Sequence, residues 1–136
     1  MTARPALLST LWTFVTLNYL YADVFSLMDP LLLPQWLRGE VEGITVTRPL
    51  LFAAAVMMEV PIAMTLLSRL LPARANRFAN LGAAVFKTLA VVGALAAASP
   101  NVHAAFFATI EVVTTLTIGV IAWRWRPEAE LAKPVW

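Results

Sequence analysis

Four long stretches of apolar residues follow one another along the chain, over residues 6–27, 49–71, 78–98 and 103–123. Each is apolar almost all the way around a helix, and at about 1.5 Å per residue each can cross the roughly 30 Å hydrocarbon core of a bilayer. Proline and polar turn residues close the first three stretches, at Asp29-Pro30, Pro72 and Ser99-Pro100-Asn101. The pattern predicts an all-α, single-domain integral membrane protein: a four-helix bundle of up-down-up-down topology.

The longest connection between these stretches covers residues 28–48. Its segment from Leu31 to Leu37 is apolar but too short to span a bilayer. We expect this segment to lie in the membrane interface, over the mouth of the bundle. The run from Ile44 to Thr47 is a candidate for extended backbone.

Composition supports a membrane protein, since 60% of the residues are hydrophobic, 13% are charged and mean hydropathy is +0.76. The chain has no cysteine, which excludes disulfides and thiolate chemistry. With four spans both termini lie on one side, and basic residues near the spans set which side that is. Only Arg38 and Arg48 lie on the opposite side, so the termini are predicted to be cytoplasmic. The basic residues on the side of the termini are Arg4, Arg69, Arg74, Arg77, Arg124, Arg126 and Lys133.

Three ionisable side chains lie near the middle of three different stretches: Glu59, Lys87 and Glu111. Charge at that depth is costly and therefore rare unless it is paired or used. One lysine can neutralise only one of the two glutamates, so the other is expected to be protonated and able to donate a proton. A simpler alternative is a structural ion pair between Glu59 and Lys87.

Further polar residues share helical faces with these groups. Tyr19 precedes Asp23 by four residues, and Asn80 precedes Lys87 by seven. Asp23 near the outer end is equally explained as a carboxylate that reaches the interface. The lone His103 offers no transition-metal site. We therefore predict catalytic carboxylates at Asp23, Glu59 and Glu111, no metal, and substrate contacts from Asn18, Tyr19, Asn80, Lys87 and Thr115.

Several motifs resemble a family of small four-span bacterial and archaeal membrane proteins of unknown function, DoxX-like in architecture. They cover most of the chain: Tyr21-Ala22-Asp23-Val24-Phe25 with Pro30, Pro61 with Leu67-Ser68, Asn76-Arg77-Phe78 with Asn80, and Phe106-Phe107 through Ile110-Glu111 to Ala122-Trp123-Arg124-Trp125. The resemblance implies that Asp23, Glu111 and the Asn76-Arg77 segment belong to the shared pattern, whereas Glu59 and Lys87 depart from it. It also implies a location in the bacterial inner membrane.

Three functions fit these residues. The first is a membrane-embedded isomerase or cyclase that binds a lipophilic molecule, isoprenoid- or polyketide-like, and acts on it by acid/base chemistry without a cofactor. The second is a proton or cation pathway, for which four short spans would have to assemble into a homo-oligomer. The third is a non-catalytic assembly or partner-binding protein. Membrane lipid is the expected surrounding in each case, and nothing in the chain indicates nucleic-acid binding.

Overall fold

The computed structural model describes residues 4–97 and 101–126. Their secondary structure is almost entirely helical, which confirms the all-α prediction. The five helices and one short hairpin are α1 (Arg4–Met28), α2 (Leu33–Arg38), β1 (Glu40–Val41), β2 (Ile44–Thr45), α3 (Arg48–Leu70), α4 (Ala73–Ala97) and α5 (Val102–Arg124). The turn expected at Ser99-Pro100 lies outside the described residues. So does Lys133, which contributes to the predicted orientation in the membrane.

Within the described part of the chain, three helices are long and apolar enough to cross a membrane: α3, α4 and α5. Helix α1 has 25 residues but is not among them. Its first half carries several hydroxyl groups, and those of Thr10, Thr13 and Thr16 donate back to carbonyls of their own helix. Such bonds satisfy the threonine hydroxyl groups within the helix itself. Because α1 is not among the helices apolar enough to span, the four-span bundle stays a prediction.

The long helices pack unevenly against one another. The most extensive contacts join α4 to α5, α1 to α3 and α1 to α5, whereas α3 and α4 touch much less. The apolar core lies where these faces meet and includes Leu8, Trp12 and Val15 of α1 with Ile118 of α5. Small residues at Ala83 and Ala84 of α4 permit close helix approach. At one end of the fold a cavity remains between α1, α4 and α5.

A buried hydrogen-bond network fills the other end, centred on Asn80 of α4. The Asn80 carbonyl oxygen accepts from Trp12 Nε1 at 2.7 Å and from Ser68 Oγ at 3.2 Å. Its Nδ2 donates to the Asn76 backbone oxygen at 2.9 Å and to Asn76 Oδ1 at 2.6 Å. Asn76 Nδ2 in turn donates to the Ser68 carbonyl at 2.6 Å. This network joins α1, α3 and α4 through fully satisfied polar groups.

The segment between α1 and α3 forms a compact cover over the opposite end, which we call the cavity end. Helix α2 ends at Gly39, whose φ of 74° is the left-handed conformation that glycine adopts most easily. Strands β1 and β2 pair antiparallel through the two-residue turn Glu42-Gly43, with φ of 50° and 80°. Gln35 Oε1 accepts from the Glu42 amide at 2.8 Å, which ties the hairpin to α2. The segment expected at the interface contains a short helix, and the first half of the run expected to be extended, Ile44–Thr45, is a strand.

Asn101 fastens this cover to the start of α5. Its Oδ1 accepts from the Ala104 amide at 3.0 Å as an N-cap, and its Nδ2 donates to Asp29 Oδ2 at 3.1 Å. We expect Asn101→Ala to lower the free energy of unfolding by about 1 kcal/mol, because a cap is lost. Equilibrium unfolding in mixed detergent micelles measures this. Asn101→Ser keeps a capping oxygen and should lose less than half as much; equal losses would contradict the capping role.

Candidate active site

A cavity of about 240 Å³ lies at the cavity end, between α1, α4 and α5. The cover closes part of it through Leu32 and Glu42. Its polar lining comes from four different parts of the chain, and its apolar lining comes mainly from α4 and α5. The lining residues are Ala22, Asp23, Ser26, Leu32, Glu42, Val91, Ala94, Leu95, Asn101, Ala104, Phe107, Ala108 and Glu111.

Glu111 is the deepest carboxyl group of this cavity. It lies on the buried face of α5, one turn after Ala108 and one turn before Thr115. The residue is only 5% exposed, and its Oε1 is buried with no hydrogen-bond partner among the described residues. Buried polar atoms in native proteins nearly always have a partner. An unpartnered carboxyl oxygen on a cavity wall is therefore available to a ligand or to a water molecule.

Asp23 lies across the cavity on α1. It keeps an accessible side chain, and Ser26, three residues on, lines the same space. Asp23 lines the same cavity as Glu111 and is also exposed, so both of its predicted roles, in the cavity and at the outer interface, stay predictions. Two of the three predicted catalytic carboxylates are thus brought to one site.

Lys87 and Tyr19 lie next to each other, each one helical turn from a residue of the cavity lining. Lys87 is 2% exposed, one turn before the cavity residue Val91, and Tyr19 is one turn before Asp23. The Lys87 Nζ lies 4.0 Å from the centroid of the Tyr19 ring, a cation–π contact. The residues one turn further along these helices, Val91 and Asp23, line the cavity together with Glu111. Lys87 is therefore the cation of a cluster with two acids.

Glu59 lies apart from this cluster. The buried positions of α3 are Pro61, Met64 and Ser68, whereas Glu59 is exposed. Two residues on a helix correspond to about 200° of rotation, so Glu59 points away from the face that carries Pro61. The prediction that all three acids line one cavity is wrong for Glu59, which is not in the lining that contains Asp23 and Glu111. The alternative Glu59–Lys87 ion pair is also not formed, since Glu59 is exposed on α3 whereas Lys87 is buried on α4.

The other residues predicted to contact substrate lie in several different parts of the fold. Asn80 belongs to the network at the far end, with its donors and acceptors engaged. Thr115 is fully buried, and its hydroxyl pairs with that of Thr88 at 2.7 Å. Asn18 donates to the Phe14 carbonyl of its own helix at 2.9 Å. None of the five predicted substrate contacts belongs to the cavity lining; Tyr19, Lys87 and Thr115 each lie one helical turn from a lining residue.

Three polar lining residues were not predicted as site residues. Ser26 follows Asp23 by three residues, and that helical spacing is a usable signal. Asn101 was interpreted only as part of a turn. Glu42 reaches the cavity because the hairpin folds back over it, which no local pattern indicates. No group of three or more metal-ligating side chains occurs within residues 4–97 and 101–126.

Comparison with known proteins places this site in a family without assigning it an activity. No curated protein and no solved structure matches the chain. One family model matches residues 1–132, which is nearly the whole chain, and it describes a family of unknown function. This confirms the resemblance to such a family, while the DoxX-like architecture stays a prediction. The chain belongs to the family of unknown function DUF6326.

Proposed function

We propose that this protein is a membrane-embedded isomerase or cyclase whose cavity binds a lipophilic molecule with an oxygen-bearing group. The observation that carries the proposal is the pairing of Glu111 and Asp23 across one cavity, with a buried Glu111 oxygen left without a partner among the described residues. Cavities with a mostly apolar lining and a few convergent polar groups are the usual form of small-molecule sites. The rest of the fold supports this assignment in three ways.

The first support is the membrane location that the proposal requires. Helices α3, α4 and α5 are apolar, and most of their side chains face outward in the isolated chain. Exposed apolar area on this scale is unusual for a water-soluble monomer. We propose four spans in up-down-up-down order, with α1 carrying its polar side chains inward. The arginines near the network end support an orientation with that end in the cytoplasm of a bacterial cell and the cavity end outside its inner membrane.

The second support is the balance of charge around the cavity. Lys87 is one base beside two acids, of which Glu111 is buried and Asp23 is accessible. The third acid of the lining, Glu42, is exposed on the cover and solvated. If Lys87, Asp23 and Glu111 were all ionised, one negative charge would have no partner, which is costly beside a buried carboxyl group. Retention of one proton by the two acids removes that cost. The cluster then contains one proton donor and one carboxylate acceptor.

Such a pair can isomerise an epoxide without a cofactor. Glu111 donates its proton to the epoxide oxygen as a carbon–oxygen bond breaks, which leaves a hydroxyl and a carbocation. Asp23 removes a proton from the neighbouring carbon, and that carbon–hydrogen electron pair becomes a double bond. The proton then returns from Asp23 to Glu111, so atoms and charge balance. In a cyclisation, an alkene of the substrate attacks the cation before the proton is lost.

The third support concerns the far end of the fold. A proton or cation pathway needs polar groups that can exchange partners from one end to the other. Asn80 has both functions of its amide engaged, and Trp12, Ser68 and Asn76 hold it there. A saturated amide network of this kind favours a site open at one end over a path across the membrane. Assembly into a homo-oligomer stays a prediction.

Conversion of isoprenoid probes tests the proposed function. Protein in lipid nanodiscs is incubated with linear isoprenoid epoxides, ketones and alcohols, and products are separated by gas chromatography and mass spectrometry. We expect the wild-type protein and Glu59→Gln to convert at least one epoxide, and Glu111→Gln to be severely impaired. Glu59→Gln is the matched control, because it makes the same change on an exposed face. Absence of any conversion by the wild type, or equal conversion by Glu111→Gln, would overturn the proposal.

A further inference from the structure

A second cavity, of about 550 Å³, lies on the other side of α1, where α1, α2 and α3 meet. Asp23 and Ser26 line both cavities, so the two spaces adjoin at these side chains. The rest of the second lining is apolar and comes from Leu27, Trp36, Leu51, Ala54, Ala55, Met57 and Met58. The proposed acid/base chemistry makes no use of this space.

The second cavity is an open, mostly apolar space that suits a hydrocarbon chain, and we refer to it as the channel. Its α3 wall runs from Leu51 to Met58, which corresponds to roughly 10 Å along a helix axis. Ala54 and Ala55 leave room between the larger side chains, and methionines adapt to flexible apolar ligands. Trp36 of α2, which belongs to the cover, lines the same space, and indole rings favour membrane interfaces.

Charge around the junction restricts what can occupy both spaces. Asp23, Glu111 and Glu42 all line the first cavity. Three acidic side chains disfavour the phosphate of a membrane phospholipid, because like charges repel. A neutral oxygen-bearing group meets no such penalty. The two spaces together therefore suit a molecule with one hydrocarbon tail and an uncharged polar end.

We infer that the second cavity holds the tail of the substrate while its oxygen-bearing end occupies the first cavity between Asp23 and Glu111. This inference rests on the proposed function and specifies its substrate class: a single-chain lipophile, such as a linear isoprenoid with a terminal epoxide or carbonyl. Because lipid tails are as apolar as the cavity wall, the tail gains little affinity there. The channel instead orients the substrate so that its polar end faces the acids, as productive positioning requires.

Photolabelling and chain-length dependence test the inference together. The probe is a terminal epoxide of three isoprene units with a diazirine at its far end, applied to protein in nanodiscs. We expect labelling of the Met57–Met58 peptide that excess unlabelled epoxide abolishes. Ala55→Trp should lose this competed labelling, whereas Ala53→Trp should keep it, since Ala53 is exposed on the same helix but outside the cavity lining. Labelling that competition or Ala55→Trp leaves unchanged would indicate ordinary lipid contact and overturn the inference.

Conversion rates separate failure of this inference from failure of the proposed function. Ala55→Trp should slow conversion of the three-unit epoxide and leave that of a one-unit epoxide unchanged, because only the longer tail needs the channel. Equal rates on both substrates in Ala55→Trp and wild type would overturn the tail site while leaving the chemistry intact. Insensitivity of both substrates to Glu111→Gln would instead overturn the chemistry.

Discussion

Replacement of Glu111 by glutamine is expected to lower epoxide conversion by roughly 100- to 10,000-fold, the range that one general acid contributes. Glutamine has nearly the shape of glutamic acid and fills the same buried position, but it has no acidic proton to donate. The substitution should leave helix α5 in place, because Glu111 Oε1 makes no hydrogen bond within the described structure that the change could break. Initial rates in nanodiscs at saturating probe, compared with the wild type, measure the effect.

Matched substitutions show whether that loss is specific to the cavity. Asp23→Asn removes the proposed acceptor and should also lower conversion, while Glu59→Gln should retain wild-type rates. Far-ultraviolet circular dichroism and gel filtration check that each variant is folded. A Glu59→Gln loss equal to that of Glu111→Gln would show that the depth of a carboxyl group matters rather than its place in the cavity.

Asn80→Ala is expected to lower the free energy of unfolding by about 2–4 kcal/mol. The buried Trp12 indole and Ser68 hydroxyl lose their common acceptor, and each unsatisfied donor costs about 1–3 kcal/mol. Partial recovery of partners in the membrane-unfolded state reduces the sum. Unfolding by sodium dodecyl sulfate in mixed micelles, followed by tryptophan fluorescence, measures the change.

Asn18→Ala is the control for this prediction. Asn18 bonds only within its own helix in the described structure and is half-buried, so its loss should cost under about 0.5 kcal/mol. A similar cost at both positions would mean that Asn80 contributes as a polar residue in general and not as the centre of a network. The rates of Asn80→Ala on isoprenoid epoxides should stay within a few-fold of wild type, because Asn80 lies outside the cavity.

The helices and two of the acids could be predicted from the sequence because both depend on position along the chain. Apolar stretch length and proline placement locate α3, α4 and α5, and the same count puts Glu59 and Glu111 at similar depth. Their rotation about the helix axis is a separate property. It depends on which face packs, and in α3 that face is set by Pro61, Met64 and Ser68. An apolar helix gives little pattern from which to predict such a face.

The cover over the cavity shows a second limit of sequence reasoning. The sequence predicts an interfacial apolar segment and an extended run between α1 and α3. The placement of Glu42 over the cavity depends on the positive φ of the Glu42-Gly43 turn and on the bond from its amide to Gln35. The Asp29–Asn101 bond joins residues far apart in the chain. These features follow from tertiary contacts, so the cavity wall could be predicted only in part.

The central claim is that carboxyl groups from α1 and α5 face each other across one cavity while that of α3 does not. The chain has no cysteine, so thiols introduced in pairs report on this directly. Protein with Asp23→Cys and Glu111→Cys, and protein with Glu59→Cys and Glu111→Cys, is treated with short bifunctional thiosulfonates and weighed by intact mass spectrometry. The account predicts one bridging reagent per chain in the first pair and only separate modifications or none in the second. Bridging in the Glu59 pair without bridging in the Asp23 pair would contradict it.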